Sequence, residues 1–134
     1  MAIRYEVQQR KNPKDPAANS KYYLINKTFA AVDRNFLIQD MVKNTSLTAN
    51  EAATGIDYLF DSIPKYISLG FTVKLGNLGY FTVGIKSEGS DTEEEATVDK
   101  IKWKRLVFIA GKEIRKQVNE FPAEKRDYKD QINK

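Results

Sequence analysis

Three patches of basic side chains are the groups of this sequence that could carry a function. The sequence contains neither cysteine nor histidine, so it lacks the usual thiol nucleophile, the usual general base and the commonest metal ligands. Closely spaced lysine and arginine side chains neutralise phosphates and release counterions without reading base sequence. A single patch of this kind is more often only a solvated surface. The patches are Arg10, Lys11 and Lys14; Lys100, Lys102, Lys104 and Arg105, joined by Lys86; and Lys112, Arg115 and Lys116.

The net charge of +4 is modest, but it is unevenly distributed along the chain. Residues 1–35 carry seven basic and three acidic groups, and residues 100–134 carry eleven and five. Between them, residues 84–99 carry one basic and six acidic groups. The basic segments at the two ends of the chain favour a polyanionic partner. A polyanion would repel the acidic segment, residues 84–99.

Catalysis and metal binding have little support in the sequence. The carboxylates that lie close together fall within Glu88–Asp99, where solvent would leave their acidity ordinary. Three of them, Glu93 to Glu95, could touch a divalent cation, but no second cluster completes an octahedral set. The Gly76-x-x-Gly79 pair is too short for a phosphate-binding fingerprint and follows no strand–helix pattern. We therefore expect no enzyme, no cofactor, no metal and no small-molecule substrate.

A predicted hairpin at residues 70–83 would position the second basic patch. Val73 and Leu75 alternate with a lysine, and Phe81 and Val83 alternate with a threonine, which is typical of half-buried strands. Glycine and asparagine in the connection, residues 76–79, tolerate the positive φ that a tight turn needs. At least one of Asn77 and Gly79 should have a positive φ, and Leu75, Phe81 and Phe108 should be core residues.

Two helices are predicted before this hairpin. The first covers Arg34 to Lys43, where apolar residues recur at helical spacing. Thr48 and Glu51 form a capping box that begins the second helix, whose apolar stripe ends near Gly70. A helical hairpin of this kind could be a helix-turn-helix that reads the major groove. However, Lys65 is the second helix's only cation, and its apolar stripe suits a core helix better.

After the hairpin, residues 84–99 form an exposed acidic excursion, which leads into a strand. A period of two places the three lysines of the second patch on one face and Ile101 and Trp103 on the other. A short helix, Gly111 to Phe121, should then place Ile114, Val118 and Phe121 inward and turn its three cations outward.

The ends of the chain are predicted to differ from this central part. Residues 1–33 alternate at Ile3–Val7, contain a proline-rich loop and continue into an apolar run at Lys21–Phe29, which indicates a β-hairpin. Residues 122–134 are charged with few apolar groups, which is typical of a flexible tail. No apolar run approaches the ~20 residues of a membrane span, and the N-terminus lacks the apolar core of a signal peptide. We expect no membrane partner and a cytoplasmic location.

The order of these elements resembles the bacterial HU and integration host factor (IHF) family of histone-like DNA-binding proteins. That family has the patterns G-x-x-V-x-L-x-G-x-G-x-F and F-x-x-G-K. The residues that match are Gly70, Val73, Leu75, Gly79 and Phe81, followed by Phe108, Gly111 and Lys112. This sequence departs from the family at Asn77, Leu78 and Ala110, where the family usually has Gly, Phe and Pro.

The resemblance implies an α+β, HU/IHF-like fold over residues 34–121. Such a fold has a helical hairpin, a sheet with a ribbon arm and a short C-terminal helix, to which residues 1–33 add an N-terminal β-hairpin. The resemblance further implies an intertwined homodimer whose arms bind and bend double-stranded DNA, largely independently of sequence. It places the protein in the nucleoid, but it says nothing about the role of residues 1–33. The three basic patches are the DNA-binding candidates because of their own charge.

The predicted arm departs from the family in one respect. In HU-like proteins an apolar residue at the tip of a basic arm wedges between bases, and the tip carries an Asn-Pro step. Here no proline occurs between Pro64 and Pro122, and Glu88 to Glu95 are largely acidic. The alternative is therefore a non-catalytic interaction or scaffold dimer that has lost its DNA-bending arms.

Overall fold

The computed structural model of the protein describes residues 2–15 and 17–126. The chain divides into two compact units. One unit combines Met1–Asp33 with Val118–Lys134, and the other is Arg34–Gln117. The bounds predicted for the HU-like segment, residues 34–121, stay a prediction.

The first unit contains a three-stranded sheet, whose middle strand is the one nearest the N-terminus. Strands β1 (Ile3–Arg10) and β2 (Lys21–Asn26) pair antiparallel as the predicted hairpin. Val7 lies opposite Leu24, so one face of this hairpin is apolar, as alternation along the strands requires. Both of these side chains remain exposed in the single chain.

A third strand in this sheet differs from the predicted flexible tail. Strand β6 (Ala123–Lys125) runs parallel to β1, with Ala123 opposite Ile3. The Ile3 amide donates to the Pro122 carbonyl at 2.9 Å, and the Arg126 amide donates to the Tyr5 carbonyl at 2.8 Å. The charged composition misled the prediction because pairing uses backbone groups, and β1 offers an open edge that needs partners. The rest of the predicted tail, residues 127–134, lies outside the described residues.

Two helices open the second unit: α1 (Arg34–Asn44) and α2 (Ala49–Ser68), which continues through Pro64. The predicted start of α2 is confirmed. The Thr48 hydroxyl accepts the Glu51 amide at 3.2 Å and donates to the Glu51 carboxylate at 3.0 Å. One of the unpaired amides at the helix start is satisfied in this way.

A sheet in the order β3-β4-β5 follows the helices. Its strands are β3 (Val73–Lys74), β4 (Gly79–Ser87) and β5 (Ile101–Ala110), all antiparallel, and α3 (Lys112–Glu120) comes after them. A 3₁₀ turn, Gly76–Leu78, joins β3 to β4. Gly79 has a φ of 136°, which confirms the predicted positive φ in this connection.

The buried core of the described residues is small and lies between the helices. Ile38, Ala52 and Ile56 are buried there. The predicted core of Leu75, Phe81 and Phe108 is not formed in the single chain. Phe81 packs on Phe108 with ring centroids 4.8 Å apart, yet Phe108 remains 49% exposed because the described residues cover only part of its ring. Among the helices described, none is long and apolar enough to cross a membrane.

Candidate nucleic-acid interface

The ribbon of β4 and β5 presents two chemically different faces. Residues opposite each other in an antiparallel pair share a face, and the faces alternate along the strand. Ile85 lies opposite Lys104 on a face that is otherwise largely apolar. On the other face, Lys86 lies opposite Trp103 and Gly84 lies opposite Arg105. The face defined by Lys86, Trp103 and Arg105 is called the tryptophan face below.

The predicted stripe of three lysines on one face is wrong. Lys100 belongs to a 3₁₀ turn, Val98–Lys100, that precedes β5. The register shifts between Lys86 and Ser87, which pair with Trp103 and Ile101. Lys102 is therefore left without an opposite residue, as the extra residue of a β-bulge. Of the three lysines, Lys104 alone keeps a regular position in the ladder.

Trp103 shares its face of the ribbon with Lys86 and Arg105. The prediction that it lies on an apolar face opposite the basic side chains is wrong. The Arg105 guanidinium carbon lies 4.5 Å from the centroid of the Trp103 ring, a distance at which the ring quadrupole attracts the cation. Trp103 is 39% exposed, and Lys86 is its cross-strand partner. Lys86 and Arg105 are among the residues predicted from sequence, but Trp103 is not. The signal that could have revealed it is an aromatic residue between two basic ones, Lys102 and Lys104, in a strand expected to reach solvent.

The far end of the ribbon is an acidic loop. It is closed by backbone hydrogen bonds: the Glu88 amide donates to the Lys100 carbonyl at 2.9 Å, and the Lys100 amide donates to the Thr97 carbonyl at 3.0 Å. The carboxylates of Glu93, Glu94 and Glu95 project from a turn within it. No group of three or more acidic side chains positioned to hold a metal ion is found in the described residues.

The third patch lies on α3 as predicted. Lys112, Arg115 and Lys116 are exposed, at the spacing that places them along one side of the helix, while Ile114 is half-buried. The predicted inward positions of Val118 and Phe121 are not formed in the single chain, where these side chains are about half exposed.

The first basic patch lies in the first unit, and only two of its three residues line a common concavity. Arg10 and Lys11 line a concavity of about 430 Å³ together with Lys21 and Tyr23. Lys14 is exposed in the same loop but does not line the concavity. Lys21 is absent from the residues predicted from sequence, although it begins the strand that a hairpin must bring back beside Arg10.

The chain is similar to a known protein family in sequence and to a solved structure in fold. Residues 1–125 match the model of a protein family, HU-HIG, described as an HU domain fused to a wHTH, Ig or glycine-rich motif. Among curated proteins, none matches. A crystal structure from Bacteroides vulgatus ATCC 8482, provisionally described as a bacterial DNA binding protein, superposes with a TM-score of 0.64 at 12% sequence identity. The match covers 92% of this chain and 47% of that one, so this chain spans about half the length of that protein.

Proposed function

We propose, since this chain belongs to the HU-HIG family of HU domains fused to other modules, that it binds double-stranded DNA as a non-enzymatic, architectural protein. The binding would be largely independent of base sequence, and the protein would associate with the nucleoid in the cytoplasm. The observation that carries this proposal is the tryptophan face of the ribbon, where two cations flank a partly exposed indole.

The chemistry of the tryptophan face suits a DNA groove. Lys86 and Arg105 can neutralise phosphates on the edges of a groove, and an indole can lie against sugars and base edges between them. Minor-groove proteins, HU among them, use apolar side chains to unstack base steps and bend the duplex. Trp103 would take this part in a ribbon that has no proline in the described residues of its tip.

Dimer formation belongs to the same proposal. The unit Arg34–Gln117 leaves many large apolar side chains exposed, among them Phe60 of α2 and Phe108 of β5. Large apolar side chains that are exposed together are typical of surfaces that bind another protein. We infer that a second copy covers these side chains, as in an intertwined homodimer of the HU type.

A second function is favoured by one observation, the acidic loop at the end of the ribbon. Residues 84–99 carry one basic and six acidic groups, and carboxylates repel phosphates at short range. A dimer that binds another protein through this loop, without binding DNA, is the alternative.

Titration of duplex DNA with the protein, followed by fluorescence anisotropy at low and moderate salt, separates the two functions. A DNA-binding protein should bind unrelated duplexes with similar affinity, and log K should fall linearly with log salt concentration. Lack of binding even at low salt would refute the proposed function and leave the protein-binding alternative.

A further inference from the structure

We propose that the first unit carries a second, independent phosphate-binding site, which holds the backbone of duplex DNA at the end of the β1–β2 hairpin. The proposal rests on the proposed function for the identity of the ligand, but its residues belong to a different unit from the ribbon. The site is the 430 Å³ concavity lined by Arg10, Lys11, Lys21 and Tyr23, called the hairpin concavity below.

The lining of the hairpin concavity includes a like-charged pair. Arg10 and Lys21 are directly opposite each other in the β1–β2 ladder, where like charges destabilise the pairing of strands. Lys11 adds a third positive charge beside them. A bound anion would remove this repulsion, so the arrangement favours a ligand that carries negative charge.

Within the described part of the chain, no acidic side chain of the lining compensates this positive charge. No carboxylate is found among the described lining residues. The nearest acidic residue in the loop, Asp15, accepts the Ala17 amide at 3.2 Å and so holds the loop's own backbone. Glu6, farther along β1, is paired with Lys27 at 3.2 Å.

Hydrogen bonds in and around the hairpin concavity orient its lining. The Arg10 Nε donates to the Gln8 side-chain oxygen at 3.3 Å, which leaves the outer guanidinium nitrogens as the groups that can form a fork onto a phosphate. The Asn12 side-chain oxygen accepts the Lys14 amide at 3.0 Å and shapes the rim of the loop.

The opening of the hairpin concavity to solvent favours a polymer backbone as its ligand. The concavity is open to solvent at the end of the hairpin, so it can accept a chain that passes through it. Its cations contact phosphates without reading bases, while Tyr23, 48% exposed, supplies one ring for a sugar. We therefore expect the hairpin concavity to contact DNA phosphates in addition to the ribbon of the other unit.

The experiment compares two triple variants of the full chain in salt titrations with duplex DNA. Replacing Arg10, Lys11 and Lys21 with Gln removes the cations of the hairpin concavity. The matched control replaces Lys27, Lys125 and Arg126 with Gln, which removes the same number of charges from the same unit. The first triple should lower the magnitude of the salt slope by up to about 2.7, at roughly 0.9 for each phosphate contact, and the control should lower it by less than one contact.

Two further measurements keep the outcomes distinct. Circular dichroism should show both triples folded, and a charge-conserving variant that combines Arg10→Lys, Lys11→Arg and Lys21→Arg should keep the wild-type slope. Equal slopes for the two triples, with wild type still binding DNA, would overturn the hairpin concavity while the ribbon proposal stood. Binding that survives loss of Lys86 and Arg105 but not loss of the concavity cations would support the concavity and refute the ribbon. A wild type that binds no DNA would refute both.

Discussion

Gly111 packs directly against the backbone of Asn77. The Gly111 amide donates to the Leu78 carbonyl at 2.9 Å, and a Cβ at position 111 would overlap the Asn77 carbonyl oxygen. The glycine of the F-x-x-G-K pattern is therefore required because the 3₁₀ turn before β4 passes too close for any side chain. Each of the two sequence patterns contributes one side of this contact.

Gly111→Ala should destabilise the protein by about 1–3 kcal/mol, the usual cost of forcing a methyl group into a packed position. The matched control is Gly55→Ala in α2, where an added Cβ meets nothing within 4 Å. That change should stabilise the helix by about 0.5–1 kcal/mol, since alanine is the better helix former. Urea unfolding of both variants measures the difference, and a Gly111→Ala protein as stable as wild type would contradict the contact.

The ion pair between Arg34 and Asp57 should make stability depend on acid pH. Two Arg34 nitrogens donate to the two Asp57 carboxylate oxygens at 2.6 and 2.8 Å. These hydrogen bonds lower the pKa of Asp57 below its usual 3.8 and raise the pKa of Arg34. A carboxyl with a lowered pKa stabilises the fold above its unfolded-state value, and that contribution is lost as pH falls through the folded-state value.

Thermal melts of wild type and Asp57→Asn at pH 7 and near pH 3 test this dependence. The variant should have a lower melting temperature than wild type at pH 7. This difference in melting temperature should become smaller near pH 3, where the wild-type carboxylate takes up a proton. Both groups are exposed, so the gap should be small. Asp61→Asn removes a similar charge from the same helix and serves as the control. A gap that stays constant with pH would show that the pair does not contribute to folding.

The proposed dimer predicts a mass of about twice 15.3 kDa by light scattering at micromolar concentration. Phe108→Glu should shift the protein to monomer or unfold it, because a charge would replace apolar surface at the interface. Val98→Glu adds the same charge at an 80% exposed position near the end of the ribbon, and it should leave the dimer intact. A clean wild-type monomer would count against the HU-type assembly.

Trp103 is the chain's single tryptophan, so its emission reports on the tryptophan face alone. Adding duplex DNA should change the fluorescence emission of Trp103 at low salt. At high salt, where binding is weaker, the change should disappear. Lys86→Gln with Arg105→Gln should lower the magnitude of the salt slope by up to about 1.8. The pair Lys102→Gln with Lys104→Gln removes equal charge from outside that face and should lower it less. Unchanged emission on saturation with DNA would place the contact elsewhere.

The acidic loop should weaken DNA binding if the ribbon end approaches phosphates. Changing Glu93, Glu94 and Glu95 together to Gln removes three negative charges at constant length, so affinity should rise at low salt. The gain should shrink as salt screens the repulsion. The control changes three exposed carboxylates on the helices to the corresponding amides: Asp40→Asn, Glu51→Gln and Asp61→Asn. Affinity that does not change in the loop variant would indicate that the loop meets another partner.

The local features of this protein could be predicted because they depend on neighbours in sequence. Thr48 and Glu51 are three residues apart, which is enough to specify where α2 begins. Gly79 takes its positive φ because the connection between β3 and β4 needs it. The β1–β2 hairpin likewise follows from the alternation of apolar residues along two runs.

The tertiary structure alone decided the features that join distant parts of the chain. The bulge at Lys102 depends on how β5 pairs with β4, and it replaces the predicted row of lysines with a candidate face formed by Lys86, Trp103 and Arg105. Strand β6 formed because β1 had an open edge, which no property of residues 123–125 reveals. A bulge and the pairing of an open strand edge depend on backbone hydrogen bonds between different segments, which the alternation of side chains within one segment does not specify.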